Sequence, residues 1–174
     1  MDLRDVVIVG CGPAGLYAGW KLARAGYDVI LFEEHETIGD PVHCTGVLAR
    51  EAFEEFGLDT DAILNELKTV RFFAPSGDTV EYSTPTVEAV VVDRRVFDSA
   101  LAARAAAAGA EVVHGRVTAL GVDRDGVTVK AGPTTVRARA RRRSLNLARR
   151  PSRWSLSRAR CRIGCSRWAT RLAS

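Results

Sequence analysis

The chain has 174 residues, 47% hydrophobic and 26% charged, enough to bury one real core. No apolar run approaches the roughly 18 residues of a membrane span, and four unevenly spaced cysteines do not make a disulfide framework. Composition therefore excludes a helical spanning protein and a disulfide scaffold. A cytoplasmic protein with free thiols is the expectation, and Asp2, Arg4 and Asp5, followed by a short apolar run, do not read as a signal peptide.

The formal charge of +4 conceals an asymmetry. All 21 acidic residues lie between Asp2 and Asp125, whereas the 25 Lys and Arg divide into 12 over 1–136 and 13 over 137–174. The first segment is thus net acidic, and the last is strongly basic with no acid at all. The chain reads as two objects, 1–136 and a basic Arg/Ser-rich tail, 137–174.

Val6-Val7-Ile8-Val9 is a short continuous apolar run, as in a strand buried on both faces of a parallel sheet. Leu16 to Ala25 reads as a helix stopped by Gly26, and Asp28 to Phe32 as a second strand ending at Glu33-Glu34. A loop over Glu36 to Gly46 follows, then two expected helices, Leu48 to Phe56 and Asp61 to Leu67. Thr69 to Ala74, Thr79 to Ser83 and Ala89 to Val92 read as strands, the first two joined by the turn Pro75-Ser76-Gly77-Asp78. Asp93 caps an Ala-rich helix over Arg95 to Ala108, closed by Gly109. Glu111 to His114 is a further parallel strand. Val117 to Val122, Val127 to Ala131 and Thr134 to Val136 form a small antiparallel meander. From Arg137 onward neither periodicity is present. Arg-, Ser-, Trp- and Cys-rich sequence without acid is what an out-of-frame reading of a GC-rich gene produces; the alternative is a genuine disordered basic arm.

Gly10-x-Gly12-x-x-Gly15 lies between a strand and a helix, with an acid at the end of the next strand. Gly10 permits the tight turn, Gly12 lets the backbone approach a pyrophosphate, and Gly15 lets the helix pack on the strand. The pyrophosphate would lie at the helix N-terminus, where free N–H groups and the dipole favour an anion. Glu33, on the following strand, is placed to accept hydrogen bonds from a ribose diol. This constellation predicts dinucleotide binding. Cys11, inside the glycine loop, reads as inert, and Glu34 as solvent-facing.

Val7 to Leu16 with Glu33 resembles the amino-terminal FAD motif of the large flavoprotein superfamily. Ile38-Gly39-Asp40-Pro41-Val42-His43-Cys44-Thr45-Gly46 resembles the Gly-x-Pro-x-x-Cys segment of the geranylgeranyl reductase family. Val92-Asp93-Arg94-Arg95-Val96-Phe97-Asp98 resembles that family's Asp-Arg-x-x-Phe-Asp stretch. The resemblance covers about residues 4–136. It implies an α/β, FAD-binding Rossmann-like domain of three β/β/α layers, here truncated, interleaved in the family with a substrate domain. The implied activity is reduction of C=C bonds in geranylgeranyl chains of isoprenoid lipids or related precursors. Carried over by residue, Ala14 and Glu33 would contact the ADP moiety of FAD, and Cys44 and Thr45 would lie near the flavin. Arg94 would hold the cofactor, and the backbone near Val117 would border the adenine.

Such chemistry passes a hydride from reduced flavin to one alkene carbon and a proton to the other. Cys44 either shapes that site or assists protonation, as the candidate catalytic residue, or it is a small buried hydrophobe in a loop. His43 reads as a surface residue. His43 and Cys44 have no further ligand at suitable spacing, so no metal is expected. Arg94 and Arg95 open a helix, where cations oppose the dipole; an anionic partner such as the FAD phosphate or flavin edge is expected for one of them. His114 ends a strand with no partner evident. Cys161-x-x-x-Cys165 is half a zinc site at best.

The family's Ala-Asp-Gly-type and later Gly-Asp segments do not occur, nor does its substrate domain. The expectation is an incomplete chain that binds FAD weakly or not at all and turns nothing over. An aromatic-ring monooxygenase of the same superfamily is the second enzymatic reading, and the Pro-x-x-Cys segment argues against it. A non-enzymatic anion- or nucleic-acid-binding protein acting through the tail is the third; nucleic acid is the less expected partner. A lipid substrate implies peripheral contact with a membrane, although no amphipathic anchor helix compels it.

Overall fold

A computed structural model describes residues 2–139. The expectations for Cys161, Cys165 and the rest of the basic tail lie outside the described residues. In chain order the elements are β1 (Asp2–Arg4), β2 (Val6–Val9), α1 (Pro13–Arg24), β3 (Val29–Glu33), β4 (Val47–Ala49), α2 (Glu51–Phe56), β5 (Ile63–Leu67), β6 (Thr69–Phe73), β7 (Thr79–Ser83), β8 (Ala89–Val92), α3 (Arg94–Ala107), β9 (Glu111–His114), β10 (Val117–Asp123), β11 (Gly126–Ala131) and β12 (Thr134–Arg139).

The centre is a parallel sheet in the order β2-β3-β9, with Val7 opposite Ile30 and Leu31 opposite Val112. All five residues of β3 are buried, so its run Val-Ile-Leu-Phe has no polar face to show. Alternation then sends its side chains to two different cores. Val29 and Leu31 pack with Leu16 and Ala23 of α1 and Leu101 and Ala105 of α3. Ile30 and Phe32 pack on the other side with Val129, Ala131 and Val136. Burial of each Val, Leu, Ile or Phe side chain among them stabilises the fold by about 1.5–3 kcal/mol. The result is the expected β/β/α layering, with helices on one face of the parallel sheet and a four-stranded sheet, β1-β12-β11-β10, on the other.

The structure departs from the sequence expectations at several elements. Asp61 to Leu67 is not a helix: Ile63–Leu67 is a strand paired antiparallel with β8, its register broken between Ile63 and Asn65. Ile63 and Leu67 are four residues apart, a spacing that puts two side chains on one side of either element, and pairing with Ala89–Val92 decides the outcome. The segment from Leu48 to Phe56 is likewise shared between a short strand and the helix Glu51–Phe56. Helix α1 begins at Pro13 rather than Leu16; proline is suited to the first helical position because its missing N–H has no partner there. Strand β1, which sequence reasoning missed, pairs parallel with β12. Strand β12 itself runs to Arg139, three residues past the change in composition, and Arg137 reaches both oxygens of Asp123 at 2.6 and 2.8 Å.

Strands β6 and β7 form a separate two-stranded ribbon. Val70, Phe72, Val80 and Tyr82 share one face and are all exposed, while Arg71 and Glu81 form an ion pair on the other. Among the described residues, no helix is long and apolar enough to cross a membrane.

Candidate functional site

The C-terminal ends of β2 and β3 open onto a cavity of about 580 Å³. Its wall includes Gly10, Cys11, Gly12, Glu33, His35, the stretch Gly39 to Cys44, Arg94, Asp98 and Val117. This is the place where an open α/β sheet holds its ligand.

The glycine loop is set by contact distances. A Cβ on Gly15 would stand 2.1 Å from the Gly10 carbonyl oxygen, so no other residue fits where α1 packs on the loop. A Cβ on Gly12 would meet nothing within 4 Å; it would project into open space at the cavity rim. Gly12 is the N-cap of α1 and no side chain caps that helix end, which leaves its first N–H groups available.

Glu33 terminates β3 and is one of two buried charged side chains among the described residues, the other being Asp98. Its Oε2 accepts from the Cys11 N–H at 2.7 Å, and its Oε1 accepts from the His35 N–H at 3.0 Å and the His35 ring Nδ1 at 2.7 Å. Burial pushes the Glu33 carboxyl up, but the donors of His35 and Cys11 outweigh it and hold the group below its ordinary range. His114 Nδ1 in turn donates to the His35 carbonyl at 2.7 Å, which supplies the partner sequence reasoning did not find. A carboxylate has about four acceptor positions, so the clasp leaves room for about one hydroxyl donor from the cavity. Glu34 is exposed, as expected, and pairs with Arg116.

The opposite wall is the loop from Glu36 to Gly46, fastened to α3 and β8. Asp93 caps α3, its Oδ1 accepting from the N–H groups of Arg95 at 2.9 Å and Val96 at 3.3 Å. Gly39, at φ +80°, passes so close that a Cβ would lie 2.9 Å from the Arg94 carbonyl oxygen. Arg95 binds Asp40 at 2.7 Å, and the Val92 N–H donates to the Gly46 carbonyl at 2.9 Å. Arg94 forms a fork with Asp98, Nε to Oδ1 at 3.0 Å and Nη2 to Oδ2 at 2.8 Å. Both cations at the start of α3 therefore have protein carboxylates as partners, where the sequence suggested a cofactor anion for one of them.

Cys44 is exposed and lines the cavity, which removes the reading of a small buried hydrophobe. Its Sγ accepts from the Gly46 N–H at 3.5 Å; that bond and the guanidinium of Arg94 draw the thiol below its usual range. Cys11 is the opposite case: burial and the nearby Glu33 charge push its thiol up to about 12. His43 is exposed, as expected. Of the residues singled out in sequence, Gly10, Gly12, Glu33, Cys44, Arg94 and Val117 meet at this cavity; Ala14, Gly15 and Thr45 do not line it. His35 and Asp98 were missed. The four-residue spacing of Arg94 and Asp98 on a helix was a usable signal, whereas nothing in the sequence marks His35.

Comparison with known proteins agrees with this geometry. Residues 8–53 match the family described as NAD(P)-binding Rossmann-like domain. The chain is 40% identical over 127 residues to the digeranylgeranylglycerophospholipid reductase of Methanocaldococcus jannaschii, covering 72% of this chain and 32% of that protein. It is 44% identical over 110 residues to digeranylgeranylglycerophospholipid reductase 1 of Methanopyrus kandleri, covering 62% and 28%. The crystal structure of a geranylgeranyl bacteriochlorophyll reductase-like protein from Thermoplasma acidophilum superimposes with a TM-score of 0.70 at 29% identity, covering 80% of this chain and 38% of that one. The chain thus spans about a third of the length of the curated relatives it matches. Over that span the chain is similar to the digeranylgeranylglycerophospholipid reductases, and residues 8–53 within it match the NAD(P)-binding Rossmann-like family.

Proposed function

We propose that the cavity between the glycine loop and the Cys44 loop binds FAD, and that the enzyme to which this portion corresponds reduces C=C bonds in geranylgeranyl chains of isoprenoid lipids. The carrying observation is that Glu33, the uncapped N-terminus of α1, Arg94 and Cys44 all border one cavity. The residues fit the group. Space in front of Gly12 is open for a pyrophosphate, Glu33 retains about one acceptor position for a ribose hydroxyl, and Arg94 keeps three of its five N–H donors beyond those given to Asp98.

Reduced flavin, when bound, supplies the hydride. The chain's own contribution is to position and to move a proton. The α1 N-terminus and Glu33 hold the nucleotide end, and Arg94 fixes an anionic edge of the cofactor. Cys44, with its acidified and accessible thiol, gives a proton to the second alkene carbon and regains one from solvent. The resemblance of the Gly39–Gly46 segment to the reductases favours this over oxygen chemistry on an aromatic ring. A lipid substrate makes the protein a visitor to a membrane surface, readable by co-sedimentation with vesicles carrying the substrate.

The test is titration of the purified chain with FAD, followed by quenching of flavin fluorescence, alongside Gly12→Val and Glu33→Ala. Saturable binding lost in both variants supports the reading; binding unaffected by either overturns the site. Reduction itself is read in an intact relative with a chemically reduced flavin and a geranylgeranyl lipid, as the gain of one H2 per double bond in the mass spectrum.

A further inference from the structure

Asp98 is buried at 2% exposure in the first turns of α3, and among the described residues its partner group is the Arg94 guanidinium, gripped through both carboxylate oxygens. A buried ion pair of this kind is weak support for stability, because desolvating both charges offsets much of their attraction. Its geometry has a more specific consequence. Asp98 occupies the Nε–Nη2 edge, and a guanidinium is planar and rigid, so the three N–H groups left over have a fixed direction. Arg94 and Cys44 line the same cavity, and the guanidinium charge bears on the thiol. Gly39 and the Arg95–Asp40 pair hold the Cys44 loop against the same turn of α3. The charged and titratable groups of the cavity around the thiol are thus Arg94 and Asp98 on α3 and Asp40 and His43 on its own loop, with Glu33, Glu34, His35 and Arg116 on the other walls.

We propose that Asp98 is a positioning residue for this site: by fixing one edge of Arg94 it aims the other at the Cys44 thiol and at an anionic group of the bound cofactor. The cofactor half of this statement rests on the flavin reading above; the thiol half does not.

The experiment alkylates the full chain with iodoacetamide across pH and quantifies the Cys44 peptide by mass spectrometry, in wild type, Asp98→Asn and Arg94→Lys. Asparagine keeps the shape but weakens the grip. If Asp98 aims Arg94, the guanidinium drifts from Cys44, the alkylation profile moves to higher pH, and the rate near pH 7 falls about three- to tenfold as the thiolate fraction shrinks. If Asp98 merely screens Arg94, removing its charge strengthens the cation, the profile moves to lower pH and alkylation speeds up; that result, or no change, overturns the proposal. Arg94→Lys keeps the charge and loses the fork, and it decides the matter where Asp98→Asn does not fold: slower alkylation supports aiming, an unaltered profile overturns it. FAD titration of the same proteins separates the two claims. A wild type that binds no flavin removes FAD as a ligand of this chain by itself, while the thiol profiles still test Asp98. Flavin binding that is unweakened in Asp98→Asn overturns the cofactor half of this inference alone.

Discussion

The Glu33 carboxylate accepts the Cys11 backbone N–H at 2.7 Å, and this bond joins the end of β3 to the glycine loop that follows β2. The same carboxylate holds the N–H and ring of His35, so one side chain organises two strands' exits at the mouth of the cavity. A group with that many donors has a role in the fold as well as in ligand binding, and the two roles are separable by experiment.

Glu33→Gln replaces an acceptor with a donor facing N–H groups, and is expected to cost about 1–3 kcal/mol at neutral pH, the usual cost of leaving a buried donor unpaired. The pH dependence has a definite sign. Glu33 is held below its ordinary value of 4.5 in the folded state. Its stabilisation is therefore complete above that value and is lost as pH falls through the folded one. Urea midpoints of wild type and Glu33→Gln should differ at pH 7 and converge as pH falls well below 4.5. A constant difference across that range would show that the carboxylate's charge is not what stabilises the loop.

Much of this arrangement is legible in the sequence. The Val6–Val9 and Val29–Phe32 runs announce strands with no polar face, and the glycine spacing with Glu33 announces a dinucleotide loop, because each has one physical solution. Asp93 was legible as the cap of α3 for the same reason: its side chain takes two N–H groups that the helix leaves open. Ile63–Leu67 was not, since its two half-buried residues suit a helix and a strand equally and only β8 arbitrates. Strand β1 was hidden by its length and charge, as Arg4 is held by Asp2, Asp28 and Glu111, two of them distant in sequence. The pairing of Arg94 and Arg95 with protein carboxylates was missed because Asp40 lies 55 residues away and Asp98 lies in a stretch read for its resemblance alone.

Two substitutions in the glycine loop should part fold from ligand. Gly15→Ala forces a Cβ to within 2.1 Å of the Gly10 carbonyl oxygen. Relief requires α1 to move off β2, at a cost of about 1–3 kcal/mol or more. Gly12→Ala meets no protein atom and has ordinary φ, −71°. It should change stability by less than about 1 kcal/mol, the preference for glycine over alanine at an N-cap. FAD affinity in Gly12→Ala should nonetheless fall roughly tenfold, about 1.4 kcal/mol. Thermal melts set beside flavin titrations check both; a destabilised Gly12→Ala with intact affinity would reverse the assignment.

The two described cysteines should react at very different rates. Cys44 is exposed with an acidified thiol, whereas Cys11 is buried at 2% with its thiol pushed up to about 12. Thiolate, not thiol, is the nucleophile. Native protein at pH 7.5 should lose the free Cys44 peptide to iodoacetamide while Cys11 survives, and Cys11 should react only as urea unfolds the chain. Equal rates in native buffer would mean that the glycine loop opens locally without global unfolding.

The β6–β7 ribbon makes the last prediction. Phe72 is 60% and Val80 57% exposed, and they face each other across the ribbon beside Val70 and Tyr82. An apolar face of this kind on a two-stranded ribbon, with unpaired edges, favours association with other chains. Side chains already in water have little burial to lose, so Phe72→Thr should alter stability by no more than about 0.5 kcal/mol. Threonine is β-branched and suits a strand as well. The same change should lower self-association, read as a smaller apparent mass in sedimentation at high protein concentration. A large loss of stability in Phe72→Thr would show instead that the ring is packed in the folded protein, and that the ribbon's apolar face is part of its core.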